Sequence, residues 1–336
     1  MHKIICVGSA TKDIFFPTDE GKILETPADL LAQRKISFEL GAKYHIEKRH
    51  ETLGGCAVNV ACGLARQGES VICHVGIGND ETGKWIKTEI DKEKVEIEAV
   101  EILNGCESDL SAIVVEKNSG ERVIFSNHGA SQLFKVKKEF LNDASWFFVC
   151  DLSGTWQKNL QTVFLEAKKQ NSKVVFNPRQ QMLHQDIGTL LSFLPYCETL
   201  LVNKDEAIEI AKAIDGKYTA KILNDEIFLL KTLHNLGIEK IVITDGEKGA
   251  WAYDGNEMFF AEAILQKTLD TTGAGDAFAS GFLGAQLKGG RLLESLKWGI
   301  INSSNSVRYY GGIEGLLSAE EILSKVDEVQ IKKIVW

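Results

Sequence analysis

The chain has 336 residues, a length that suits one large α/β domain with a small satellite. Its 44% hydrophobic and 25% charged residues are ordinary for a globular protein and exclude a disordered chain. The 47 acidic residues outnumber the 38 basic ones, and the net charge of −9 disfavours nucleic acid or an anionic membrane surface as a partner.

No targeting or membrane segment is visible in the sequence. The apolar run at residues 4–7 is too short for a signal peptide, and no stretch approaches the ~18 apolar residues of a spanning helix. The 7 cysteines are scattered and form no C-x-x-C pair, which is typical of small core residues in a reducing compartment. We therefore expect a cytoplasmic protein.

Single apolar strands alternate with helical patterns along the chain. The runs that predict strands are 3–8, 71–75, 146–150, 173–176, 199–202 and 240–243. The patterns that predict helices are 56–67, 81–92, 157–170, 205–213 and 226–236. This order predicts βαβ units and a parallel sheet that is covered by helices on both faces.

Two segments, 16–53 and 109–126, interrupt this order. Polar and apolar residues alternate around 36–40 and 44–48 in the first segment and on either side of 118–120 in the second. The second segment predicts a β-hairpin with its turn at 118–120. We expect the two segments to form a small antiparallel sheet outside the main core.

The strongest chemical signal is the segment Asp270-Thr-Thr-Gly-Ala-Gly-Asp276, which stands just before a helical pattern. Unpaired N–H groups at Gly273, Ala274 and Gly275 would converge at the helix N-terminus, where the macrodipole adds positive potential. This arrangement predicts an anion hole, and Asp276 beside it is placed to take a proton from an attacking hydroxyl. The alternative is an ordinary capped helix with an aspartate in its first turn.

A second group of chemically suggestive residues lies near the N-terminus. Gly54 and Gly55 precede the first predicted helix and permit a ligand to approach the backbone, and Asn59 follows one turn later. Asp13 follows the first strand, and ligands of open α/β sheets bind beyond the carboxyl ends of strands. The alternatives are a plain strand-to-helix turn and a solvated loop aspartate.

Together these motifs resemble those of the ribokinase-like (PfkB) sugar and nucleoside kinases. The resemblance runs from Gly8 to Gly312 and rests on the Asp270 segment and on Gly54-Gly-Cys-Ala-Val-Asn-Val-Ala-Cys-Gly-Leu-Ala-Arg-Gln-Gly68. It implies an α/β fold, a three-layer αβα sandwich with a mostly parallel central sheet and a small antiparallel β lid. Residues 1–15, 54–108 and 127–336 would form the large catalytic domain, and residues 16–53 and 109–126 the lid.

The resemblance also implies catalytic roles. Asp276 matches the base that deprotonates the acceptor hydroxyl, and the backbone of 273–275 matches the anion hole for the transferred phosphoryl group. Asn203 and Glu206, in an Asn-x-x-Glu pattern after a predicted strand, match residues that organise Mg²⁺, with Glu206 acting through water. Without the resemblance, this pattern predicts only the start of a helix.

Binding roles follow from the same resemblance. The residues that match acceptor-binding positions are Asp13, Gly54, Gly55, Asn59, Asp151 and Arg179, of which Arg179 is assigned to phosphates or to substrate. The residues that match the nucleotide side are Asn203, Thr244, Gly246 and Asn302. Asp270 marks a turn near which some relatives need a monovalent cation such as K⁺, and the sequence leaves that requirement open.

The implied reaction is transfer of the γ-phosphate of ATP to a hydroxyl of a sugar, with a primary alcohol as the expected acceptor. A nucleoside kinase on the same scaffold remains an alternative, as does a sugar-binding regulator that has lost catalysis. Closure of the lid would exclude water from the site. Members of the family often dimerise through the lid, so a homodimer is expected.

The predicted lid is rich in basic residues, namely Lys43, His45, Lys48, Arg49 and His50. These side chains could bind a phosphorylated or carboxylated sugar, although an edge strand protected by charge is the favoured interpretation. His128 stands where many relatives have arginine, so the resemblance does not assign one particular sugar.

Overall fold

The computed structural model describes residues 3–26, 34–117 and 119–335. The strands are β1 Lys3–Gly8, β2 Thr11–Thr18, β3 Lys22–Glu25, β4 Arg34–Ser37, β5 His50–Gly54, β6 Ser70–Gly78, β7 Glu101–Leu103, β8 Asp109–Glu116, β9 Arg122–Asn127, β10 Trp146–Cys150, β11 Lys173–Asn177, β12 Thr199–Asn203, β13 Lys240–Thr244, β14 Gly249–Tyr253, β15 Met258–Glu262 and β16 Ile331–Lys333. The helices are α1 Cys56–Arg66, α2 Glu81–Lys92, α3 Ala130–Leu133, α4 Trp156–Gln170, α5 Gln180–Phe193, α6 Lys204–Ile214, α7 Ala220–Leu223, α8 Glu226–His234, α9 Ala274–Leu287, α10 Leu292–Ser306 and α11 Ala319–Leu323.

The larger sheet runs in the order β16-β15-β14-β13-β12-β11-β10-β1-β6-β7. Every pairing from β13 to β7 is parallel, and all six strands predicted from apolar runs lie in this part. The prediction of a mostly parallel central sheet is therefore confirmed. An antiparallel edge of β14, β15 and β16, which the sequence reading did not include, completes the sheet.

Helices cover both faces of the larger sheet, which makes the molecule a three-layer sandwich as expected. Ile4 and Cys6 of β1 face one hydrophobic cluster, to which α1, α2, α9 and α10 contribute. Ile5 and Val7 face the other cluster, built with α4, α5, α6 and α8. Because both faces of each parallel strand are buried, these strands are continuous apolar runs in the sequence.

The small sheet has the order β5-β2-β8-β9, and the hairpin predicted around residues 118–120 is its β8–β9 pair. It is not wholly antiparallel as expected, because β2 and β8 pair in parallel. Strand β2 begins at Thr11 and β5 ends at Gly54, so both cross the predicted boundaries at residues 15 and 54. The division into two domains stays a prediction, and the limits of β2 and β5 refine where its boundaries fall.

One part of the predicted small sheet is wrong. Residues 44–48, which the structure describes, form no strand, and the hairpin of β3 and β4 stands apart from the four-stranded sheet. The Tyr44 ring instead packs edge-on against Phe38, with ring centroids 5.0 Å apart. The apolar side chains of this segment thus make a local aromatic contact and do not pair in a strand.

In the described part of the chain, no helix is both long enough and apolar enough to cross a membrane.

Candidate active site

One cavity of about 580 Å³ lies beyond the carboxyl ends of the parallel strands. Chain reversals after β10, β11, β12 and β13 bring polar residues to this edge, as the topology of a parallel sheet requires. The predicted site residues that line the cavity are Asp13, Gly55, Asn59, Asp151, Arg179, Asn203, Glu206, Thr244, Gly273, Gly275 and Asp276. Residues predicted from segments far apart in the sequence thus meet at one place.

Asp276, the predicted base, is 3% exposed and lies in the first turn of α9. The amide Nδ2 of Asn59 donates to its Oδ2 at 2.8 Å, and Nη2 of Arg179 donates to its Oδ1 at 3.0 Å. Both carboxylate oxygens are therefore held in fixed directions at the floor of the cavity. An acceptor hydroxyl that reaches Asp276 must replace or share one of these two donors.

The predicted anion hole lies where α9 begins. Gly273 precedes the helix with φ near 73°, a left-handed conformation that favours glycine, and a Cβ there would overlap the Cα of Gly312. A Cβ placed on Gly275 would meet no heavy atom within 4 Å, so the backbone there faces open cavity. These N–H groups and the positive end of the helix fit a phosphate group of a nucleotide.

The predicted acceptor side includes Asp13, which is 6% exposed. Burial raises the pKa of its carboxyl group to about 6, against the lowering effect of a hydrogen bond with Ser111; the charges of Asp270 and Asp276 raise it further. Gly54 packs directly against the Asp13 carboxylate, where any side chain would overlap it. Gly54 does not line the cavity itself but leaves the room that Asp13 occupies.

Asp151 follows β10 on the same side of the cavity. Its φ of 40° is unusual for a residue other than glycine, and its Oδ2 accepts a hydrogen bond of 2.8 Å from the hydroxyl of Ser9. The Ser9 hydroxyl in turn accepts from the backbone N–H of Cys56 at 3.3 Å. This chain of hydrogen bonds ties Asp151 to the start of α1 and fixes its direction.

Asn203 and Glu206 form a capping box at the start of α6. This is the helix start that their spacing predicts without the family resemblance. The Asn203 Oδ1 accepts from the Glu206 N–H at 2.9 Å, and the Glu206 Oε2 accepts from the Asn203 N–H at 2.9 Å. Burial raises the pKa of Glu206 to about 7. Both residues line the cavity, and the second oxygen of Glu206 lies outside the capping box, so this donor set fits Mg²⁺ bound through water.

Asp270, the predicted marker of a monovalent-cation site, is 1% exposed and does not line the cavity. Its Oδ1 accepts from the N–H and the hydroxyl of Thr272 at 3.0 and 2.7 Å, and its Oδ2 accepts from the Gly311 N–H at 3.0 Å. Arg122 of β9 lies nearby, with its Nε 3.8 Å from Oδ1. The visible role of Asp270 is to hold the turn before the anion hole.

Some predicted site residues lie away from the cavity. Asn302 is fully buried. Its Nδ2 donates to the Ala277 carbonyl and the Ser280 hydroxyl, and its Oδ1 accepts from the Leu317 N–H. Its side chain therefore holds α9 and α10 together. Gly246 is exposed in the turn after Thr244. The nucleotide roles of Asn302 and Gly246 stay predictions.

The basic residues near β5 lie elsewhere as well. Lys43, His45, Lys48 and Arg49 are exposed, and none of the five basic residues named for the lid lines the cavity. Their position fits the favoured interpretation of solvated surface charge.

The inner face of the small sheet closes the cavity from above. Alternate residues Arg122, Ile124, Ser126 and His128 line it because successive strand side chains point to opposite faces. His128 donates from Nδ1 to the Asp109 Oδ2 at 3.2 Å, and this contact raises the pKa of the imidazole. The small sheet that contains the predicted lid therefore forms one wall of the cavity.

The polar residues of this region that the sequence did not single out include Ser9, Cys56, Ser111 and Arg122. Arg122, the one with a charge, donates from Nη1 to the Thr271 hydroxyl in the turn before the anion hole. Their sequence positions carry one available signal, since Ser9 and Cys56 directly adjoin Gly8 and Gly55. The contacts of Arg122 and Ser111 depend on tertiary packing and leave no local pattern.

Comparison with known proteins gives a consistent result. The sequence model described as "pfkB family carbohydrate kinase" matches residues 1–319. The ATP-dependent 6-phosphofructokinase of Thermoanaerobacterium thermosaccharolyticum is 25% identical over 304 residues, covering 87% of this chain and 90% of the relative. The cytidine kinase of Thermococcus kodakarensis is 29% identical over 266 residues, covering 77% of this chain and 88% of the relative.

The fold is also shared with solved structures. The Arabidopsis thaliana ribokinase complexed with ribose and ATP superposes with a TM-score of 0.76 at 19% identity, covering 97% of this chain and 98% of that one. The similarity supports the sandwich with its small β-sheet.

Proposed function

Because the chain belongs to the pfkB family of carbohydrate kinases, and is therefore a phosphotransferase, we propose that it transfers the γ-phosphate of ATP to a hydroxyl of a sugar. One observation carries the proposal: the buried carboxylate of Asp276, the open backbone of Gly275 and the acceptor-side Asp13 share a single cavity. A base, an anion site and hydroxyl-binding carboxylates are the parts that phosphoryl transfer to an alcohol needs.

The mechanism places each residue on one side of the transfer. Asp13 and Asn59 orient the acceptor, and Asp276 takes the proton of the attacking hydroxyl as its oxygen bonds to phosphorus and the bond to ADP breaks. The amides at the start of α9 stabilise the charge on the transferred group. Asn203 and Glu206 would hold Mg²⁺ through water, and the metal would neutralise phosphate charge. The lid excludes water.

The lining of the cavity favours a sugar over a nucleoside. Among its described residues, Phe278 is the single Phe, Tyr or Trp, and it is 3% exposed within α9. The described strands of the small sheet contribute the aliphatic Ile113 and Ile124 to the lining and no Phe, Tyr or Trp ring. A cavity that lacks such a stacking surface but contains several carboxylates and amides suits a compact polyol.

The experiment is coupled ADP release over a panel of sugars, sugar phosphates and nucleosides with ATP and Mg²⁺. We expect turnover that requires one sugar-type acceptor and falls on the order of 10³-fold in Asp276→Asn. Acceptor-dependent turnover that survives this substitution would refute the role of Asp276. Tight acceptor binding without turnover would instead indicate a sugar-binding regulator.

We also infer a homodimer through the small sheet. Strand β9 is an edge strand of that sheet, with Val123 38% and Phe125 64% exposed on its outer face. An apolar edge of this kind invites pairing with a second copy. Light scattering should give twice the chain mass, and Phe125→Glu should return it to the monomer.

A further inference from the structure

We propose that Arg179 is a catalytic residue that moves from the base Asp276 to the transferred phosphoryl group when nucleotide binds. The inference rests on the proposed function and adds to it a cation that acts on the reacting group. Arg179 follows β11 and precedes α5, so its side chain extends from the edge of the sheet into the cavity. The sequence resemblance leaves open whether it serves phosphates or the acceptor.

The first argument is the contact with the base. Nη2 of Arg179 donates to Oδ1 of Asp276 at 3.0 Å, and Asn59 occupies the other oxygen. While Arg179 and Asn59 each donate to one oxygen of Asp276, an acceptor hydroxyl finds one lone pair on each oxygen instead of two. A second anion within reach of Arg179 would draw the guanidinium away and leave Oδ1 available.

The second argument is the position of the guanidinium among the charges of the cavity. Asp276 and Asp151, on the acceptor side, both interact favourably with its charge, and its field also reaches Glu206 on the proposed metal side. The transferred phosphoryl group must pass between those two sides. Arg179 therefore lies beside the path of transfer rather than at either end of it.

The third argument is unused hydrogen-bonding capacity. Nε of Arg179 is buried and has no partner among the described residues, and Nη2 also contacts the Cys56 Sγ, a weak acceptor. A buried guanidinium N–H without a partner is costly, and a phosphoryl oxygen is the strong bidentate acceptor it lacks. Cys56 begins α1, so this contact places the guanidinium against the start of that helix.

In the proposed step, Arg179 donates hydrogen bonds to oxygens of the phosphoryl group while the acceptor oxygen bonds to phosphorus and the bond to ADP breaks. The acceptor proton passes to Asp276, which Arg179 has released. No proton leaves the guanidinium. Because the base is freed only once the phosphoryl group is present, proton removal is coupled to nucleotide binding.

The test compares Arg179→Ala and Arg179→Lys with His184→Gln. His184 is an exposed residue of α5, the helix that Arg179 precedes. We expect Arg179→Ala to lower kcat on the order of 10³-fold with a small change in the KM for acceptor, and free guanidinium ion to restore part of it. Arg179→Lys should retain more activity than Arg179→Ala. His184→Gln should match the wild type.

A binding measurement separates this role from others. We expect Arg179→Ala to bind ADP as the wild type does but to lose on the order of 100-fold in affinity for ADP with aluminium fluoride, a mimic of the transferring group. Unchanged binding of that mimic, or a raised acceptor KM at normal kcat, would overturn the proposal. Absence of ADP binding and turnover in the wild type would instead refute the proposed function.

Discussion

At the scale of single residues, the acceptor side depends on a close contact between backbone and carboxylate. Gly54 ends β5 with its Cα facing the Asp13 carboxylate, and a Cβ there would overlap both carboxylate oxygens. Gly54 has no positive φ, so backbone strain plays no part in its requirement for glycine. Glycine is needed at this position because it leaves room for the Asp13 carboxylate.

Gly54→Ala should therefore displace Asp13 without unfolding the protein. We expect the KM for acceptor to rise on the order of 10-fold while the KM for ATP stays near its wild-type value. Steady-state kinetics with each substrate varied would measure this. Gly188→Ala, in an exposed part of α5 where a Cβ meets only ordinary contacts, is the control. Equal effects on the two KM values would contradict the explanation.

The buried Asp13 also makes a prediction about stability and pH. Its folded pKa of about 6 lies above the unfolded value of 3.8, so the folded state binds this proton more tightly than the unfolded state. The free energy of unfolding therefore falls as pH rises from about 4 to about 6, by about 3 kcal/mol for this group. The loss persists at higher pH, where the carboxylate is ionised and buried.

Asp13→Asn should remove this pH-dependent loss. Relative to the wild type, we expect the variant to gain stability at about pH 8 and to gain much less at about pH 4.5, while acceptor binding weakens. Urea unfolding at the two pH values provides the measurement. A stability difference that is the same at both would show that the Asp13 carboxyl is not the group that titrates.

At the scale of elements, a residue of a capping box can also be a proposed metal ligand. Asn203 and Glu206 close the start of α6, and Ser318 with Glu321 closes the start of α11 by the same pair of hydrogen bonds. The Glu206 box lines the cavity, whereas the Glu321 box does not. The chain thus contains the same local structure with and without the proposed metal role.

Glu206→Gln tests the two roles separately, because glutamine still accepts the capping hydrogen bond but carries no charge. We expect no loss of stability, and a gain above about pH 7, where the ionised Glu206 is costly to bury. The Mg²⁺ concentration for half-maximal rate should rise on the order of 10-fold. Glu321→Gln, the matched control, should leave the Mg²⁺ dependence unchanged. A large loss of stability in Glu206→Gln with normal Mg²⁺ dependence would assign Glu206 to capping alone.

The elements differ in how far sequence could predict them. Strands β1 and β10 and helix α2 have the predicted bounds, because buried parallel strands and amphipathic helices carry strong local periodicity. The β14–β15 hairpin was missed although Asp254-Gly255 marks its turn. The parallel pairing of β2 with β8 depends on contacts across almost 100 residues of chain, which no local pattern encodes.

The site shows the same limit. The Asp270 segment and the two glycines before α1 predicted the anion hole and the base because a glycine-rich helix start has a local signature. The ion pair between Arg179 and Asp276 joins β11 to α9, and the contact of Arg122 with Thr271 joins the lid to the same turn. Such pairings arise from tertiary packing, and the sequence could name the residues but not the contacts.

At the scale of the whole molecule, contacts join the proposed lid to the turn before α9. Arg122 of β9 donates to Thr271 and lies 3.8 Å from Asp270, and a Cβ at Gly120 would approach the Leu269 carbonyl at 3.2 Å. The small sheet also has a small core of Phe15, Ile113 and Val115, against which Tyr310 of the predicted large domain packs. Since the turn before α9 leads into the anion hole, lid position and phosphate binding should be coupled.

Arg122→Ala should loosen this attachment while the lid keeps its own core. Because a loosened lid admits water, we expect ADP release without acceptor to rise on the order of 10-fold relative to acceptor-dependent turnover. Amide hydrogen exchange should quicken in residues 109–127 and stay slow in the parallel strands. The control is Lys117→Ala, at a residue of the same hairpin, which removes an exposed ion pair with Glu47 and should change neither quantity. If the two variants behave alike, the coupling between lid and catalytic turn does not pass through Arg122.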